Sequence, residues 1–110
     1  MDLFNDLQSL IQRLNVSVRK LNDYGNERAI NEKNYKVTLR QEALKLRQEK
    51  NMPVTLINQI IYGIPEVADK RFKRDVAETM YNVALENINS LKLQIRILEN
   101  QLSREWSNTK

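Results

Sequence analysis

Ala77, Tyr81, Ala84, Ile88, Leu91, Ile95, Leu98 and Leu102 follow one another at alternating steps of four and three residues. An apolar residue at a mean step of 3.5 keeps one stripe of an α-helix turned toward a neighbouring helix, and a strand of period two cannot use it. The spacing therefore predicts a long helix over 66–106, packed lengthwise on another helix along this seam. A second row, Phe72, Val76, Met80 and Val83, lies beside the first. A helix with two apolar rows touches more than one neighbour.

The other helix is legible near the start. Leu3, Leu7, Leu10, Leu14 and Leu21 form an amphipathic stripe, which Phe4, Ile11 and Val18 broaden on its neighbouring face. The stripe meets Tyr24-Gly25-Asn26 and resumes in a shifted frame at Tyr35, Leu39, Ala43 and Leu46. A four-residue insertion in a heptad seam produces such a shift. Gly25 is open to two readings. It ends the first helix as a left-handed cap, or the helix runs through it at a cost of about 1 kcal/mol relative to alanine. Continuity is the preferred reading, because helical signals flank the glycine and no proline enforces a stop. Glu32 and Lys36, acid before base at i,i+4, support the helix locally.

Lys50-Asn51-Met52-Pro53 is the clearest stop, since proline disfavours the α region for the residue before it. The first helix is thus expected over 2–50. Val54 to Tyr62 reads as a short, largely buried helix, with Pro53 or Thr55 near its start and Gly63 as its C-terminal cap. A β-strand over Leu56–Tyr62 is the rival, and it lacks an obvious strand to pair with. Pro65 suits the first turn of the last helix.

The fold class expected is all-α: a single domain over 1–110, a long antiparallel helical hairpin with a short helix at the turn. Each arm would extend roughly 60–70 Å if straight. Folding at 51–65 would bring Leu3 and Phe4 near Leu102 and Trp106, and Leu44 and Leu46 near Val67 and Phe72. Trp106 would close the open end, and the four tyrosines would sit at the core edge with wet hydroxyls. Two helices cannot cover both apolar rows well, so a homodimer forming a four-helix bundle or coiled coil is expected. A monomer with the first helix folded back at Gly25 is the alternative.

Composition narrows the chemistry. There is no cysteine and no histidine among 110 residues. Disulfides, thiolate metal sites and cysteine nucleophiles are excluded, and with histidine goes the commonest metal ligand and acid–base group near neutral pH. The only glycines, Gly25 and Gly63, make no phosphate-binding loop. No catalytic residue, cofactor site or metal site is assigned, and the chain is expected not to be an enzyme. No uninterrupted apolar run approaches the ~20 residues that span a bilayer, so no membrane partner is expected.

The net charge is +4, and acids and bases are interleaved: ten basic and seven acidic residues in 1–50, eight and seven in 51–110. A solvated surface is the plain reading of such even spread. The sharpest local feature is Lys70-Arg71-Phe72-Lys73-Arg74, where Lys70, Lys73 and Arg74 would share a flank and Phe72 would point to the core. With Arg40, Lys45 and Arg47 it would make a basic tip able to contact phosphates or an acidic partner. Glu66–Lys70 and Asp69–Lys73 are ready i,i+4 pairs that weigh toward the solvated reading. Neither patch carries the interleaved aromatics of a single-strand stacking platform.

Four segments carry a family resemblance: Met52-Pro53-Val54-Thr55-Leu56-Ile57, Val67 through Glu78, Leu91–Arg96 and Gln101–Trp106. They resemble small uncharacterised helical proteins of tailed bacteriophages and prophages of Gram-positive bacteria, over residues 30–106. That resemblance implies action in the bacterial host cytoplasm during infection. The expected role is a non-enzymatic accessory that binds and modulates a host or phage protein, inhibition of host defence being one such role. A nucleic-acid-binding accessory of replication or recombination is the alternative. Helical secretion substrates of the WXG type share the length, but they need Trp-x-Gly at the turn, where this chain has Tyr62-Gly63-Ile64.

Overall fold

Helix α1 begins where Asp2 turns its carboxylate back onto the chain. In the computed structural model, which describes residues 2–108, Asp2 Oδ1 accepts hydrogen bonds from the Phe4 and Asn5 amides at 3.0 and 3.3 Å. The side chain thereby satisfies amides that the first helical turn leaves without partners. Helix α1 then runs unbroken over Leu3–Glu49, through Gly25. Neither glycine has a positive φ, so the left-handed cap considered for Gly25 is not formed.

The stop falls at the expected Lys50–Pro53 segment and is built in two steps. Asn51 takes φ 50, in the left-handed region that asparagine tolerates better than most side chains. The Met52 amide then returns to the Leu46 carbonyl at 3.2 Å, and the Arg47 guanidinium donates to the Met52 carbonyl at 3.0 Å. One backbone bond and one side chain thus hold the chain reversal.

Pro53, extended at φ −62 and ψ 146, precedes helix α2, Val54–Ile60. Its carbonyl accepts from the Leu56 and Ile57 amides. A 3-10 turn, Ile61–Gly63, follows directly, and Leu56–Tyr62 forms no strand. Gly63 does not act as the left-handed cap the spacing suggests, because the tighter turn continues through it at negative φ. Ile64 is extended, and helix α3, Pro65–Asn108, starts on the proline, whose missing amide costs nothing in a first turn. Among the described residues every regular element is helical. Met1, Thr109 and Lys110, part of the expected 1–110 domain, lie outside the described residues.

The chain divides into two units. One spans Gly25–Met80 and holds the turn. Its core is Tyr35, Ile57, Ile61 and Val67, with Leu39, Ala43, Leu46, Met52 and Ile64 packed around it. Arg28 reaches Glu78 and Glu32 reaches Arg74, so four residues forward on α1 answer four backward on α3. The two segments are therefore antiparallel within this unit. The segment expected to be largely buried is instead a two-residue plug: Ile57 on α2 and Ile61 on the 3-10 turn, four residues apart, face inward while Val54, Leu56 and Ile60 stay exposed. Leu46 packs against the core cluster that includes Val67, in line with the expected proximity; Leu44 and Phe72 are instead exposed.

The other unit gathers the described residues up to Tyr24 and from Tyr81 onward. Leu3, Leu7, Leu10, Leu14 and Leu21 are half-buried, while Ile88 and Leu91 are buried. Leu3 shares an open groove with Gln101, Arg104, Glu105 and Asn108, which sets the beginning of α1 beside the end of α3 in this unit. Trp106, expected to close that end, is 68% exposed, and Phe4, expected near it, is exposed as well. For Phe4 the reason is angular: it lies about a quarter of a turn from the leucine stripe, and a helix packed on one partner covers one stripe. Trp106 lies four residues after the half-buried Leu102, beside the packed stripe, and is exposed all the same.

Candidate interaction surface

The seam residues occupy the packed side of α3. Ala77 in the first unit, and Ile88 and Leu91 in the second, are buried; Tyr81, Ala84, Ile95, Leu98 and Leu102 are half-buried. The second row points outward instead, with Phe72 66% and Val83 63% exposed beside Val76 and Met80.

The seven basic candidates all lie in the Gly25–Met80 unit, but they do not form one free patch. Arg74 is committed to the fold. Its guanidinium stands over the buried Tyr35 ring, 4.4 Å from the centroid. Its Nε and Nη2 donate to Asp75 Oδ1 at 3.0 and 2.9 Å, and Glu32 lies at 4.0 Å. The Asp75 hydrogen bond, opposed by burial, raises the Arg74 pKa above its ordinary value, so the group stays charged at any ordinary pH. Residues 72 and 74 lie about 200° apart on a helix, so turning Arg74 inward over Tyr35 sends Phe72 to solvent. The expectation that Phe72 points to the core while Arg74 shares an open flank with Lys73 is thus reversed.

The remaining cations are held to different degrees. Lys73 pairs with Asp69 at 3.2 Å and Lys45 with Glu42 at 3.3 Å. Arg71 stands 5.3 Å over the exposed Tyr62 ring, and Arg47 caps the turn at Met52. Lys70 is half-buried, and Arg40 is exposed. Exposed pairs of this kind contribute about 0–1 kcal/mol each, so they yield easily, but their acids lower the potential any phosphate would meet. Nothing in the residue spacing singles out Tyr35 as the seat of Arg74. The contact joins residues 39 positions apart, and only the antiparallel register brings them together.

Compared with family models, curated proteins and solved structures, the chain matches none. The functional reading rests on the surface itself. Among the described residues no group of three or more acidic, histidine or cysteine side chains is placed to hold a metal ion. No helix among them is long and apolar enough to cross a membrane.

What the surface offers is apolar. Seven apolar side chains are buried among the described residues, whereas nineteen large ones stay exposed. Isolated exposed leucines are ordinary, but rows at helical spacing are sites where another surface can dock.

Proposed function

We propose that this chain is a non-enzymatic interaction module: a phage accessory protein that pairs with itself and binds and modulates a host or phage protein. The observation that carries the reading is the outward row Phe72, Val76 and Met80, which its own unit leaves uncovered. Pairing two copies antiparallel about Val76 sets Phe72 of each against Met80 of the other, a sulfur–aromatic contact made twice by symmetry. The lack of histidine and cysteine supports a role without chemistry of its own.

The test is affinity capture with the tagged chain from nuclease-treated lysate of a Gram-positive host. A specific protein retained by the wild type and lost with a surface variant is the expected result; no specific partner would count against the module. The nucleic-acid alternative requires affinity that falls steeply with salt and weakens on Arg40→Glu with Lys70→Glu. Arg74→Glu is a poor probe of that alternative, since it would strip Tyr35 and Asp75 of their partner inside the fold.

A further inference from the structure

The outer side of α1 in the Gly25–Met80 unit carries a second heptad stripe. Ile30, Val37 and Leu44 recur every seven residues, and Asn34, Gln41 and Gln48 fall four residues after each. All six are exposed, the three apolar ones at 45–51%. They lie on the far side of the helix from Tyr35, Leu39 and Leu46, which pack inward. Steps of four and three sustained from 30 to 48 amount to a seam about 27 Å long, with apolar and amide layers alternating.

The flanks of this seam are basic, but unequally: Lys33, Arg40 and Arg47 line one, while the other carries Lys45 alone, paired with Glu42 at 3.3 Å, in line with Asn31 and Thr38. All four cations are exposed. The acids within the same span, Glu32 and Glu42, are half-buried on the packed side. In a two-helix seam the flanking charges choose the partner. A second copy docked here in parallel would set Arg40 against Lys45, and an antiparallel copy would set Lys33, Arg40 and Arg47 against one another. Like charges across such a seam exclude the copy and favour the opposite sign.

Building on the interaction-module reading, we propose that this face docks an amphipathic helix of a partner protein that carries acidic residues along its apolar seam, opposite Lys33, Arg40 and Arg47 above all. The partner presents apolar side chains to Ile30, Val37 and Leu44, and polar ones to Asn34, Gln41 and Gln48. A buried amide without a hydrogen-bond partner is penalised, so the amide layers set the register of the pair. A phosphate backbone would use the cations and leave the apolar layers idle. An anionic membrane surface would favour a broad apolar face with aromatic anchors, and this stripe has single apolar residues separated by amides.

The probe is a fluorescently labelled synthetic helix of about four heptads, with apolar and asparagine layers alternating and glutamate on both flanks, whose self-repulsion keeps it monomeric. A control peptide carries lysine on the flanks. Anisotropy titrations should show the glutamate peptide binding at least about tenfold more tightly than the lysine peptide, with affinity falling as salt rises. Val37→Asp with Leu44→Asp should abolish binding, and Lys33→Glu with Arg40→Glu should move the preference toward the lysine peptide. Helical circular dichroism should be unchanged in both variants, because the substituted side chains are exposed. Equal binding of the two peptides, no binding, or binding indifferent to Val37→Asp with Leu44→Asp would overturn the proposal. So would duplex DNA or phosphatidylglycerol vesicles binding through this face in place of the peptide, or a loss of dimer mass in the Val37 variant. If the peptide fails while lysate capture survives Lys33→Glu with Arg40→Glu, the module reading stands and this face is wrong. If both fail, both readings fall.

Discussion

Arg74 shows how one side chain can sort a basic cluster into structural and available members. Its guanidinium is positioned by an aromatic face, a neighbouring carboxylate and a second carboxylate across the unit. Lysine carries the same charge but lacks the planar fork and stacks less well. Arg74→Lys should therefore lower unfolding stability by about 1 kcal/mol, read by urea denaturation, while leaving the helical content intact. Burial separates the apolar residues just as sharply. Leu91 is 1% exposed and Leu93, outside the paired row, 55%. Leu91→Ala should destabilise by about 2–5 kcal/mol, whereas Leu93→Ala should change stability by less than about 0.5 kcal/mol. Similar losses at the two positions would mean that Leu93 is covered in the folded protein.

At the level of elements, the ends of the helices carry the local chemistry. Asn51 holds the left-handed position that closes α1, with Met52 and Arg47 completing the cap. Asn51→Val should lower the thermal midpoint, at a cost of about 1–2 kcal/mol, because a β-branched side chain resists positive φ; Asn51→Gly should be neutral or stabilising. The long helices, the turn at Lys50–Pro53 and the proline start of α3 were readable from spacing and backbone chemistry, since each is decided by residues close in sequence. The directions of Phe72, Leu44 and Trp106 were not. Periodicity reports that a helix has two apolar rows, but which row meets a neighbour depends on the long-range register. Gly63 misled for a different reason. A glycine after a helix permits a left-handed cap without requiring one, and the 3-10 turn that forms places no left-handed demand on it. The basic tip was legible as composition only; its division into Arg74, turned inward, and Arg40, turned outward, follows from tertiary packing.

At the scale of the whole molecule, the chain has two long helices with inward seams and outward apolar rows on both. Seven buried apolar side chains among the described residues make a thin core for a 13.0 kDa chain, which covering the outward rows would thicken. The central claim, a protein-interaction module that pairs with itself, is tested most directly by light scattering after size exclusion at low and high salt, with and without a short duplex DNA. We expect a dimer mass that is unchanged by salt and by DNA, and that falls to the monomer in Phe72→Asp with Met80→Asp while helical content holds. A monomer at every concentration, or a salt-sensitive shift on adding DNA, would contradict the account.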